Sequence, residues 1–365
     1  MTSAPGYRPT AGTHELPNDV LAVSEYFYQR GCTDGLPVVP PTPEAVGRML
    51  AWTDRAPDEV VARLAPRWGL ATVEKIAINA VLAGCRPAYL PVLIAAVEAL
   101  AAEEFNLYGI QATTHPVAPL LLVNGPIARE LELNAGHNAF GPGNWANATI
   151  GRAIRLILLN IGGATPGELD KATQGQPSKY TYCLAENEEQ NPWEPLHVER
   201  GLRPEDSAVT VIGAENPHNI NDHESNTAQG ICTTVAFTLA QVGSNNAKRR
   251  GEPGVFFGPE HAATVAGDGW DKQRVREFLW EHARNPLSRF SAENQAELAV
   301  RFPDQTPDTT FPPARSPEDF IIAVVGGAGK HSAAIFTFGS TRSVTRPIAL
   351  SSGRPARSIQ EFRRG

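Results

Sequence analysis

Phe320-Ile321-Ile322-Ala323-Val324-Val325, followed by Gly326-Gly327-Ala328-Gly329-Lys330-His331-Ser332, is the stretch on which the reading of this chain turns. An apolar run rich in Ile and Val that stops abruptly at glycine predicts a buried strand. The glycines then gather backbone N–H groups, a lysine and a histidine at one strand end. Such a turn suits a small anion or a carbonyl oxygen. It is not a nucleotide phosphate loop: Val324 stands where the first glycine of that motif is needed, and His331 replaces its hydroxyl residue.

Two earlier runs end in the same way. Val209-Thr210-Val211-Ile212-Gly213 leads to His218, and Val255-Phe256-Phe257-Gly258-Pro259-Glu260 leads to His261. Helical spacing follows the strands at 226–240, 259–266 and 271–284. Strands alternating with helices predict a layered α/β fold, with a mixed or mostly parallel sheet. Loops at the carboxyl ends of such strands line a crevice, where histidines from parallel neighbours converge. Lys330, His331, His218 and His261 are therefore the candidate catalytic groups. Gly326, Gly327, Gly329 and Ser332 are candidate contacts to the substrate.

Upstream, the pattern divides into a mainly helical part at 1–110, a mixed part at 111–206, and the α/β part at 207–365. Asn18 to Arg30 has helical spacing. The segment Thr33-Asp34-Gly35-Leu36-Pro37-Val38-Val39-Pro40-Pro41 takes an extended path fixed by its prolines. Helices over 72–83 and 87–104 are Ala-rich and apolar on most faces, which predicts packing on several sides. A polar loop, Asn134 to Asn147, feeds the helix from Ala148. His137, Asn138, Asn144, Asn147 and Arg152 are candidate substrate contacts, since a helix N-terminus favours an anion. This loop is the candidate wall facing the Gly326–Ser332 turn. The alternative is a hydrogen-bonded loop that only joins two layers. The long irregular stretch at 165–204 carries Tyr180, Tyr182 and Trp193, too aromatic for a plain linker.

Composition narrows the function. The net charge of −7, with no stripe of Lys or Arg, argues against nucleic acid. The longest apolar helical stretch, 90–102, is too short to span a bilayer. The start of the chain lacks a secretory signal pattern. The four cysteines, Cys32, Cys85, Cys183 and Cys232, form no CxxC pair, which predicts a reducing, cytoplasmic setting. No nucleotide, flavin or haem signature appears, and no cofactor is expected. A divalent metal at His218 and His223 is the minority alternative. The aromatic 165–204 loop and the Ala-rich helices predict a homo-oligomer.

Several of these segments resemble a family of uncharacterised bacterial proteins. They are the Thr33–Pro41 motif, Ala83-Gly84-Cys85-Arg86-Pro87, Asn124-Gly125-Pro126, Ala146-Asn147-Ala148-Thr149-Ile150-Gly151-Arg152, Pro192-Trp193-Glu194-Pro195 and Gly326–Ser332. Members of that family are associated with proteins bearing a UGSC selenocysteine-type motif. The resemblance implies thiol or selenol redox chemistry on a small metabolite. This chain has no Gly-Ser-Cys run, so the redox centre would lie on a partner. The expectation is an enzyme of lyase or hydrolase type. It would act on a small anionic organic substrate through His/Lys acid–base chemistry and the Gly-rich cradle. The alternatives are a subunit of a thiol/selenol redox complex and a non-catalytic small-molecule binding protein.

Overall fold

The computed structural model describes residues 7–364. The chain is α/β with mixed sheets and divides into two compact units. One comprises the chain up to Glu186, Leu196–Gly213 and the segment from Ser343 on. The other comprises Asn187–Pro195 and Ala214–Arg342. In chain order the strands are β1 (Val60–Leu64), β2 (Gly69–Thr72), β3 (Ala118–Asn124), β4 (Cys183–Ala185), β5 (Ala208–Ala214), β6 (His218–Asn221), β7 (Gly254–Phe257), the two-residue β8 (Asn285–Pro286) and β9 (Thr310–Phe311), β10 (Ile321–Val324), β11 (His331–Ile335) and β12 (Val344–Pro347). No helix among the described residues is long and apolar enough to cross a membrane.

The first unit is built on a sheet of order β12-β5-β3-β4, with β3 and β4 parallel and β12 and β5 antiparallel. β5 is buried along its whole length, as its unbroken apolar run requires. Helix Val73–Ala83 starts on the Thr72 side chain, which accepts from Lys75 N–H, and stops at Gly84 with φ of 87°. It packs on helix Trp145–Asn160. In helix Leu90–Leu100 every residue is buried except Glu98, which pairs with Arg55 at 2.6 Å. The Ala-rich helices are thus covered within their own unit. They do not supply the free apolar surface on which the homo-oligomer expectation partly rested.

The second unit has the sheet order β10-β7-β11-β6. Only β10 and β7 run parallel; β7/β11 and β11/β6 are antiparallel, so the sheet is mixed and not mostly parallel. Alternate residues Ile220, Val255, Phe257, Ile322, Val324 and Ala334 share one core with helices Ala228–Leu239, Pro259–Gly267 and Lys272–His282. Fully burying each large apolar side chain stabilises the fold by about 1.5–3 kcal/mol.

Three expectations change. β5 belongs to the sheet of the first unit, so it is not a strand of the sheet that holds β7 and β10. His218–Asn221, which reads as a polar loop, is an edge strand paired with β11. The irregular 165–204 stretch contains β4, which pairs in parallel with β3 at the sheet edge.

Candidate acid–base site

The site lies in the second unit, where the chain leaves β10 and reaches β11. β7 stands between these two strands, so the Gly326–Lys330 turn has to pass its carboxyl end. Gly326 and Gly329 take φ of 115° and 131°. A Cβ on either would meet nothing within 4 Å, so the backbone angle, not space, demands glycine. At Gly258 space decides instead: a Cβ would lie 2.1 Å from the His331 carbonyl oxygen.

The turn is tied down by its neighbours. Asn187 Nδ2 donates to Gly326 O at 2.9 Å, and Gly329 N–H donates to Glu260 Oε1 at 2.7 Å. One donor of the proposed cradle is therefore already met by the chain's own carboxylate. The N–H groups of Gly327 and Ala328 have no acceptor among the described residues. Lys330 Nζ donates to the His223 carbonyl oxygen at 2.9 Å.

Two histidines meet beside this turn. Register pairs His331 with Asn221 and Ala333 with Asn219, which puts His331 and Asn219 on one face. His331 Nδ1 lies 3.1 Å from Asn219 Oδ1, and His331 Nε2 lies 3.2 Å from His223 Nε2. An amide oxygen only accepts, so His331 carries its proton on Nδ1. His331 Nε2 is then the acceptor and His223 Nε2–H the donor. The rings stand edge to face, with centroids 5.0 Å apart. Both imidazoles are exposed. A substrate atom that displaces this His223–His331 hydrogen bond would meet a base nitrogen and an acid N–H together.

His261 and Ser332 serve differently. His261 Nε2 lies 2.9 Å from the Asp222 carbonyl oxygen, so that nitrogen carries the proton. Ser332 Oγ accepts from Gly258 N–H at 3.2 Å and donates to His261 Nδ1 at 2.8 Å. His261 is only 1% exposed and Ser332 7%, so this pair braces the helix Pro259–Gly267 against β11 and β7 and does not meet a substrate. Burial would push the Asp222 carboxyl up. Hydrogen bonds from Thr234 and Ser225 outweigh it and hold the carboxyl below its usual range.

Burial lowers the His261 pKa from its ordinary 6.5; the Asp222 carbonyl and carboxylate oppose this, while His331 and Lys330 add to it. The folded state thus binds this proton less readily than the unfolded chain. As pH falls, the unfolded chain takes up the proton first. The stabilisation is complete above about pH 6.5 and is lost as pH falls through the folded value. The melting temperature is expected to fall more steeply between pH 7 and pH 5 in the wild type than in His261→Gln. Equal slopes would contradict the assignment.

In the first unit, the 134–147 loop is a closed hydrogen-bond network. Asn147 Nδ2 donates to the carbonyls of Asn134 and Ala139, and its Oδ1 accepts from Asn134 N–H. Asn138 Nδ2 donates to Pro142 O, and Asn144 Nδ2 to Glu132 O. Asn144 Oδ1 caps the helix by accepting from Asn147 N–H. Arg152 is spent on Asp34, with Nε and Nη2 at 2.8 and 2.9 Å, and on the Leu36 and Pro37 carbonyls. The geometry of these residues favours a loop that joins two layers over one that holds a substrate. His137 is exposed on the loop.

His218 lies on β6 opposite Ala334, three rungs from His331, and takes no part in the imidazole contact. No group of three or more His, Cys, Asp or Glu able to hold a metal occurs among the described residues. All four cysteines are free. Burial pushes the Cys85 and Cys232 thiols up to about 12 and raises Cys183 and Cys32 as well. None is poised as a thiolate.

Asn219 and Glu260 join the site without standing out in the sequence, and His223, expected there only as a minority metal ligand with His218, joins it as the neighbour of His331. The signal that finds Asn219 and His223 is the β6–β11 register, which depends on recognising a strand in His218-Asn219-Ile220-Asn221. No protein-family model matches the chain, and no curated protein is significantly similar to it.

Proposed function

We propose that the chain is an enzyme of lyase or hydrolase type that moves a proton on a small organic anion, with His331 as base and His223 as acid. The observation that carries this reading is the 3.2 Å contact between two exposed imidazoles, one of them oriented by Asn219. Base and acid then lie within reach of a single substrate atom. Lys330, fixed on the His223 carbonyl, adds a cation, and the Gly327 and Ala328 N–H groups supply donors for an oxyanion. His261 and Ser332 hold β11 in place. The redox chemistry implied by the family resemblance would draw its thiol or selenol from a partner, since burial raises this chain's own thiols.

A panel of small hydroxy acids, keto acids, carboxylic esters and amides, incubated with the protein in D2O and followed by proton NMR, tests this reading. At least one anionic member is expected to show saturable turnover or deuteration of an acidic C–H. Binding of panel members with no turnover of any would instead mark a non-catalytic binding protein.

A further inference from the structure

A separate cleft of about 590 Å³ opens within the first unit, a volume suited to a small-molecule ligand. Arg155 and Leu159, one turn apart on helix Trp145–Asn160, line it together with Asp34, Asp170, Lys179 and Tyr180. Its charges are nearly all spoken for. Asp34 is gripped by two nitrogens of Arg152 at 2.8 and 2.9 Å. Both oxygens of Asp170 are taken by Lys179 Nζ at 2.9 and 2.7 Å.

Arg155 is the cation left over. Its side chain is 13% exposed, yet its hydrogen bonds are only two long ones from Nη2, to Ala164 O and Asp170 Oδ2, both 3.4 Å. Nε and Nη1 have no partner among the described residues, and neither is sealed from solvent. Nε and Nη1 lie on different edges of the guanidinium, so each offers a carboxylate oxygen a single charge-assisted hydrogen bond, while Nη2, shared by both forks, is held only by its two long contacts. Burial lowers the pKa of both Arg155 and Lys179, and Asp170 opposes the shift at each. In the ion pairs here the three cations Arg152, Arg155 and Lys179 share the two carboxylates Asp34 and Asp170. Leu159 and the half-exposed ring of Tyr180 both line the cleft and offer apolar surface to an organic body.

We propose that this cleft is a binding site for a small organic carboxylate, anchored on the Arg155 guanidinium with its apolar or aromatic body against Tyr180 and Leu159. It rests on none of the observations that carry the acid–base site. It also gives the Thr33–Pro41 motif a structural role, because Asp34 and the Leu36 and Pro37 carbonyls lock Arg152 and so fix one rim of the cleft.

Saturation-transfer NMR and calorimetric titration with benzoate, and with inorganic phosphate for comparison, test the proposal on the full chain. Benzoate is expected to bind saturably in the millimolar range or tighter, and at least tenfold more tightly than phosphate. Arg155→Gln is expected to weaken it at least tenfold. Tyr180→Ala, at an exposed side chain, is expected to weaken it at least threefold and carries the test if Arg155→Gln does not fold. Absence of saturable benzoate binding, equal affinity for phosphate, or unchanged binding in a folded variant of either residue would overturn it.

Discussion

Replacing His331 with alanine is expected to lower turnover by about 10²–10⁴-fold, the usual worth of one positioned acid or base. The side chain is exposed and reaches only Asn219 and His223, so stability should move by less than about 0.5 kcal/mol. The loss should fall on kcat more than on KM, because the proton is in transit only in the transition state. The two outcomes separate a catalytic imidazole from a structural one. Full activity in a folded His331→Ala variant would remove the base from the site. A large drop in melting temperature would make the histidine a brace, as His261 is.

The second large effect is structural and lies in the other unit. Arg152→Ala is expected to lower unfolding free energy by about 3–5 kcal/mol, the cost of leaving one partner of a buried ion pair uncompensated. The Asp34 side chain is 3% exposed and that of Arg152 14%, so water cannot replace the lost guanidinium. Three carbonyl or carboxylate groups would lose their donor at once, and the Thr33–Pro41 path would lose its anchor. Urea titration followed by circular dichroism measures this. A substrate-binding Arg152 would instead give near-native stability and a raised KM.

The fold class was legible because buried strands and capped helices write themselves locally. β5, β7 and β10 are short apolar runs bounded by glycine, proline or polar residues, and Thr72 and Gly84 bracket a helix as capping chemistry demands. β4, β6 and β11 were not legible. Each is an edge or near-edge strand whose hydrogen bonds come from a distant partner, and Asn219 and Asn221 carry turn-forming side chains that mask the strand. That omission hid the acid–base pair. His331 was visible beside its glycines, whereas His223 becomes its neighbour only through the pairing of β6 with β11. The Asn/Gly loop at 134–147 misleads in the opposite direction. Many polar side chains in a loop look like a binding surface, but here they satisfy one another and cap a helix. Nothing in local sequence distinguishes an asparagine offered to a ligand from one spent on the backbone. The Arg155 cleft was hidden for a related reason. Its charges become unequal only after Asp34 and Asp170 are seen to be taken by other cations.

The measurement that bears most directly on the acid–base assignment is a double-mutant cycle on turnover, with His331→Gln, His223→Gln and the double variant assayed on a substrate identified from the small-anion panel. If the two imidazoles act as one unit through their 3.2 Å contact, each single change removes most of the catalysis and the double variant is no slower than the worse single one. Losses that multiply independently, or a single variant with wild-type kcat, would contradict the pairing of His223 and His331 as acid and base.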